Sequence, residues 1–275
     1  MRGARISRWV IAVPMTALAL ATIYPLVFTA NAAMKTRRDY VLDRLALTDS
    51  LRWDNIVNAW TSAGIARYFL NSVIVVAGAV ALLLLIGSMA GFALSHLRFR
   101  GSRAVFLGIL AALFVPFQVI MVPLVRTMAD SGLVDTYPGL ILAYVAQFLP
   151  FTIYLMATYY SGIPRDIVDA ARIDGNTLYG VYRRIMLPIG LPALLSVGVL
   201  DALFCWNDVL IALLLMPSAE HRTLMVGVTS LRGQYSADIP IFASGVLIAA
   251  VPVLAVYLFF QRRIADAITA GSTKG

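Results

Sequence analysis

The sequence predicts an all-α polytopic membrane protein that crosses the bilayer about six times. The 275 residues are 60% hydrophobic, only 13% of positions are charged, and the charges fall in short clusters between long apolar runs. A soluble domain of this size needs a more polar surface, so lipid must cover much of the chain. The formal charge of +8 does not mark a nucleic-acid partner, because the basic residues flank apolar runs instead of gathering on one face.

A bilayer core requires about 20 apolar residues per helix. No Asp, Glu, Lys or Arg occurs from Trp9 to Met34, from Tyr68 to Leu97, from Ala104 to Val125, from Thr136 to Pro164, or from Ile239 to Gln261. A further run, Ile185 to Ser218, is interrupted only by Asp201 and Asp208. Six spans place both termini on one side. If that side is the cytoplasm, the inner segments hold 13 of the 22 Lys and Arg residues. Six of the other nine sit in the one long loop, Lys35 to Arg67, where charge weighs less in setting orientation. The expectation is cytoplasmic N- and C-termini. Arg2, Arg5 and Arg8 before an apolar run, with Ala30-Asn31-Ala32 after it, also fit a cleaved leader. The run is longer than an ordinary leader core of about 7–15 residues, and cleavage would leave an odd number of spans, so a retained helix is expected.

Ser161 to Pro188 is the polar exception. Pro164 suits a helix start, where its missing N–H costs nothing. Ile163, Ile167 and Ala171 then recur at i, i+4 and i+8, with Asp166, Asp169 and Arg172 on the remaining positions, which predicts a short amphipathic helix. Gly175, followed by Asn176, suits a left-handed cap. A second helical stretch, roughly Thr177 to Met186, leads into the fifth span at Leu187-Pro188. Two readings fit this pattern: a lever tied to a membrane helix, or an interfacial helix lying on headgroups.

Chemistry is sparse. With two lysines, neither set behind glycines at the required spacing, the chain has no phosphate-cradling loop and no ATP or Mg site of its own. One cysteine, Cys205, and two distant histidines, His96 and His221, exclude an internal disulfide and a cysteine-based zinc site. Glu220 is the only glutamate, so no paired-glutamate acid/base set and no Ser-His-Asp set can be assembled; the chain is not read as an enzyme. Asp201 and Asp208 lie seven apart, on one face of a single helix, within an apolar run. Acids at that depth line a translocation path or proton relay, or make a structural polar contact. For Asp208 an interfacial position is expected, with Trp206 in the aromatic belt.

Asp169-Ala170-Ala171-Arg172-Ile173-Asp174-Gly175 followed by Ile185-Met186-Leu187-Pro188 resembles the signature of ABC-importer permeases, which opens Glu-Ala-Ala. Here aspartate stands for the first glutamate, keeping the charge and shortening its reach by one methylene. Asn71-Ser72, Trp206-Asn207-Asp208, Gly233-Gln234-Tyr235 and the ending Thr269-Ala270-Gly271-Ser272-Thr273-Lys274-Gly275 narrow the resemblance to carbohydrate-importer permeases of the maltose-transporter inner-subunit type. It covers nearly the whole chain. The resemblance implies a single permease domain over 1–275 with the type I ABC importer fold, a cytoplasmic coupling loop at 161–188 and a cytoplasmic tail at 262–275. It also implies that Pro164, Asp169, Ala170, Ala171, Arg172, Asp174 and Gly175 serve ATPase coupling, and that Thr269, Ala270, Gly271, Lys274 and Gly275 approach the ATPase. Asp201, Trp206, Asn207 and Asp208 are the candidate path residues. The implied partners are a second homologous permease, two copies of a cytoplasmic ABC ATPase that bind the ATP and Mg, and an extracytoplasmic solute-binding protein. Rival readings are the same machine with glycerol phosphate, a polyamine or an amino acid as cargo, a stand-alone secondary transporter using Asp201, and a membrane-embedded enzyme.

Overall fold

The computed structural model describes residues 2–49, 51–97, 99–234 and 238–270, and every regular element among them is helical. In chain order the helices are α1 (Arg2–Ala33), α2 (Arg37–Leu42), α3 (Asp54–Thr61), α4 (Ile65–His96), α5 (Ser102–Ala112), α6 (Phe117–Asp130), α7 (Tyr137–Ser161), α8 (Arg165–Ile173) and α9 (Leu178–Val181). A π turn (Tyr182–Met186), α10 (Leu187–Asn207), α11 (Leu210–Leu215), α12 (Leu224–Gln234) and α13 (Ile239–Ala270) complete the order. Five helical stretches are long and apolar enough to cross a membrane, namely Val10–Ala33, Ile65–His96, Tyr137–Ser161, Leu178–Asn207 and Ile239–Phe260.

The expected third span, Ala104 to Val125, is not one helix. The chain bends by 97° between α5 and α6, and a sixth span exists only if this bent pair counts as one; numbered so, the pair is the third span, α7 the fourth and α10 the fifth. Pro116 supplies the cause: its backbone is extended (ψ 133°) as it caps α6, and proline disfavours helical geometry in the residue before it. The apolar run therefore reads as continuous while the backbone cannot be.

The residues fall into two compact units. One holds the chain up to Arg67 together with Gly227–Pro252. In it, Ala32 and Ala33 at the end of α1 pack against Ala243 and Leu247 of α13. The loop after α1 is stitched to the helix end: Asn55 donates to the carbonyls of Ala33 and Lys35 at 2.8 Å each, and Lys35 Nζ donates to Asp43 O at 2.7 Å. The apolar window of α1 is wholly exposed within the chain, as a lipid-facing or partner-facing helix must be.

The other unit comprises Tyr68–Val226 and Val253–Gly275. Its main core joins Val75, Ala79 and Leu83 of α4 to Leu140, Ala143 and Tyr144 of α7, with Ile211, Ala212 and Leu215 of α11. Glycine sets the helix spacing. A Cβ at Gly91 of α4 would lie 2.7 Å from Met156 Cβ and 2.9 Å from the Ala157 amide of α7, so the two backbones touch there. A second cluster, described below, seats α8.

Candidate functional site: the loop between the fourth and fifth spans

Pro164 ends the preceding turn in extended conformation (ψ 134°) and α8 follows it, with Asp166 in its first turn and Arg172 in its last. Both charges complement the helix dipole. Val168 and Ala171 are buried, at 4% and 5% exposure, and with half-buried Ile163 they join Phe92 of α4, Met156 and Tyr160 of α7, and Tyr182 and Met186 of the π turn. The face is therefore rotated from the expected one. Ile167 points outward at 37% exposure, and the inward pair is Val168–Ala171, spaced i and i+3. Both spacings lie on a helical stripe, so the pattern alone does not choose between them.

The end of α8 is closed by backbone geometry. Gly175 N–H donates to Arg172 O and Asn176 N–H to Ala171 O, each at 3.1 Å, the pair of bonds that defines a Schellman motif. Gly175 has φ +83°, as its place in the sequence predicts. No atom lies within 4 Å of where its Cβ would stand, so the demand for glycine comes from the backbone angle and not from crowding. Thr177 then caps α9, its Oγ1 accepting from Gly180 N–H at 3.1 Å. The helix continues through the π turn without interruption into α10, so loop and fifth span are one rod from Leu178 to Asn207.

What remains outside is a mixed surface. Asp169, Ala170, Arg172, Asp174 and Gly175 are exposed, as are Ile173 at 86%, Leu178 at 43% and Tyr179 at 62%. The side chains of Asp166, Asp169, Arg172 and Asp174 take part in no hydrogen bond or ion pair among the described residues. Of the seven expected coupling positions, Ala171 alone turns inward. The expected tail lies mostly beyond view: Gly271, Lys274 and Gly275 fall outside the described residues, and Thr269 and Ala270 end α13.

The four candidate path residues are not brought to one surface. Asp201 is fully buried, with its Oδ2 3.0 Å from Thr152 Oγ1 and its Oδ1 without a hydrogen-bond partner among the described residues. Asp208 does not share its helix face. It lies past the end of α10 in extended conformation (ψ 133°), and its carboxylate accepts from Ala212 N–H at 3.0 Å and from Tyr144 Oη at 3.1 Å. That is a cap for α11, stabilising by about 1 kcal/mol. Trp206 is buried at 8% with Phe69 edge-on at 5.5 Å, so it does not stand in an aromatic belt. Only Asn207 is exposed.

Sequence reasoning missed a polar strap at the other end of α4. Between α11 and α12 the chain runs across Asn71, whose Nδ2 donates to Glu220 O at 2.8 Å and Arg222 O at 2.9 Å, and Ser72, whose Oγ accepts from Leu224 N–H at 2.7 Å. Tyr137 Oη donates to Asn71 Oδ1 at 2.7 Å and fixes the amide orientation. Asp135, at φ +62°, accepts from Ser218 N–H and Oγ and lies 3.1 Å from His221 Nδ1. Burial alone would push the Asp135 carboxyl up, but the hydrogen bonds from Ser218 and His221 outweigh it and hold it below its ordinary value. Asn71-Ser72, singled out by resemblance, thus has a mechanical task. Asp135 had one usable signal, its place between Gly132 and Thr136 in a turn that favours Asp or Asn at positive φ.

Comparison with known proteins matches this arrangement to relatives along most of its length. The diacetylchitobiose uptake system permease protein NgcG of Streptomyces coelicolor is 34% identical over 252 residues, covering 91% of this chain and 83% of that one. The arabinooligosaccharides transport system permease protein AraQ of Halalkalibacterium halodurans is 32% identical over 271 residues, covering 97% and 96%. A chain from the crystal structure of a bacterial ABC transporter involved in import of the acidic polysaccharide alginate superposes with TM-score 0.83 at 23% identity, over 95% of this chain and 98% of that one. It has the same fold. The profile of one family runs through residues 83–269, from the middle of α4 past the loop to the end of α13. The chain belongs to the binding-protein-dependent transport system inner membrane components.

Proposed function

We propose that this chain is one of two related permease subunits of an ATP-driven sugar importer in the cytoplasmic membrane, with both termini in the cytoplasm. The observation that carries the reading is α8: a short helix with a buried apolar side and an exposed side of charges and apolar residues, joined through the Gly175 cap to the rod that runs from Leu178 into the fifth span. Such a surface suits a groove in a cytoplasmic ATPase, of which two copies supply the energy. The relatives named for diacetylchitobiose and for arabinooligosaccharides support a disaccharide or short oligosaccharide as cargo, delivered by an extracytoplasmic binding protein.

In this mechanism the protein does no covalent chemistry. ATP-driven closure of the ATPase pair displaces α8. The unbroken helix from Leu178 to Asn207 carries that displacement into the bundle as a rigid-body motion, which switches access from one side to the other. Uptake of labelled oligosaccharide into proteoliposomes tests the reading. Uptake should require the ATPase, ATP and the loaded binding protein together, and the isolated chain should hydrolyse no ATP. Uptake that proceeds without ATPase subunits and collapses with an uncoupler would instead favour a proton-driven carrier built on Asp201.

A further inference from the structure

Taking α8 as the coupling helix, we infer that the second span, α4, receives its motion, and that Tyr182 is the positioning residue that transmits it. The loop is fastened to α4 at two levels. At the shallow level, where the loop begins, His96 Nε2 lies 3.3 Å from Ile163 O and Arg165 Nη2 donates to Ser95 O at 3.3 Å, both at the last turn of α4. At the deeper level, where the loop ends, Tyr182 Oη lies 2.7 Å from Ser88 Oγ. Ser88 and His96 are eight residues apart, about 12 Å along the helix axis. A body held at one point can pivot; held at two points on one rod, it drags the rod with it.

The deeper attachment is buried and directional. Ser88 is 1% exposed and Tyr182 is 6% exposed. Ser88 Oγ also lies 3.2 Å from Leu85 O, which can only accept. The arrangement that uses every proton is Tyr182 O–H donating to Ser88 Oγ and Ser88 O–H donating to Leu85 O. The Tyr182 ring lies 5.8 Å from Phe92 one turn further along α4, in the same cluster as Val168 and Ala171 of α8. Tyr182 therefore touches the receiving helix with its ring and its hydroxyl, while sharing a core with the lever.

The π turn is what aims it. Tyr182–Met186 has the wider π geometry, which accommodates one more residue than an α turn. Were those residues to wind as α-helix, everything upstream would rotate by about 100° relative to α10. The Tyr182 hydroxyl would then leave Ser88. On the opposite side the packing is close: a Cβ on Gly190 of α10 would lie 2.7 Å from Tyr160 Oη of α7.

The test uses the reconstituted importer with its ATPase and binding protein, and three variants of this chain. Tyr182→Phe removes one oxygen and keeps the ring; Ser88→Ala removes its partner; Gly175→Val reports on the loop itself. Tyr182→Phe should assemble at wild-type levels and keep basal ATPase, yet lose about fivefold in the number of sugar molecules imported per ATP. Ser88→Ala should fall by a similar factor, and the double variant by no more than either single one, because both break the same contact. A contact that merely supports the fold would lower the melting temperature and leave the sugar-to-ATP ratio untouched. If Gly175→Val loses stimulation while Tyr182→Phe and Ser88→Ala keep a wild-type ratio, the Tyr182 inference is overturned and the coupling reading stands. If all three remain fully coupled, the coupling reading itself fails and takes the inference with it.

Discussion

The two ends of α4 carry two polar loops that treat their charges in opposite ways. At the Asn71 end, the strap between Met216 and Leu224 spends its polar groups on the chain itself: Asp135, Asn71 and Ser72 take up its backbone amides and carbonyls, and His221 faces Asp135 at 3.1 Å. At the His96 end, α8 closes its own backbone with a Schellman motif and points Asp166, Asp169, Arg172 and Asp174 outward. A buried polar group costs free energy unless it is paired, so side chains paired internally serve the fold. Side chains held on a rigid helix and left to solvent have another use. On the proposed function, that contrast is one between a structural loop and a docking loop.

Changing one residue in each loop sharpens the contrast. The largest effect on function is expected at Gly175, where φ +83° makes a β-branched side chain costly by about 1–3 kcal/mol. Gly175→Val should reach the membrane at normal levels and lose roughly tenfold or more of its substrate-stimulated ATP hydrolysis, measured on the reconstituted complex. Next comes Asp135→Ala, which strips the acceptor from Ser218 and the partner from His221. It should cost about 2 kcal/mol, since each net hydrogen bond contributes about 1 kcal/mol and the site is partly solvated. That should appear as a melting temperature lower by roughly 5 °C, with the sugar-to-ATP ratio preserved. If Asp135→Ala uncouples the importer without destabilising it, the strap is a docking element too and the contrast breaks.

Acid gives a subtler test. The folded Asp135 carboxyl sits below its ordinary value of 3.8, because hydrogen bonds to the charged form outweigh burial. A group depressed on folding adds stability above the unfolded value, and loses it as pH falls through the folded one. The Asp135 carboxylate should therefore keep its own contribution down to about pH 5 and lose it only below about 4. Asp135→Asn tolerates the positive φ and should flatten that acid limb in a thermal-melt series against pH. The smallest effect belongs to Asp169→Glu, which adds one methylene to an exposed side chain on α8. Stimulated ATP hydrolysis should stay within about twofold of wild type, as surface substitutions ordinarily shift stability by less than 0.5 kcal/mol.

Much of this was legible in the sequence, for identifiable reasons. Charge-free runs mark membrane helices because lipid tolerates no unpaired charge. Pro164, Gly175 and the helix between them were readable because proline and glycine act through the local backbone. What failed to read through depends on contacts distant in sequence. The run from Ala104 to Val125 hides a 97° bend because apolarity says nothing of backbone direction. Val168 and not Ile167 turns inward because α8 is seated by Phe92, Tyr160 and Tyr182, none of them in its own segment. Asp208 seemed to share a face with Asp201, but it needs Tyr144 and Ala212 to end one helix and start the next. The strap was invisible because Asn71 and Glu220 are 149 residues apart.

The most direct test of the central claim, that the outer side of α8 is the ATPase docking surface, is site-directed photo-crosslinking on the assembled importer. The chain's own cysteine, Cys205, is buried at 2% exposure, so a benzophenone label can be placed through Arg172→Cys on α8 or Glu220→Cys on the strap. On irradiation, the Arg172→Cys label should capture the ATPase chain and the Glu220→Cys label should not. Capture of lipid alone from the α8 position, in a complex that still imports sugar, would contradict the account and leave α8 an interfacial helix.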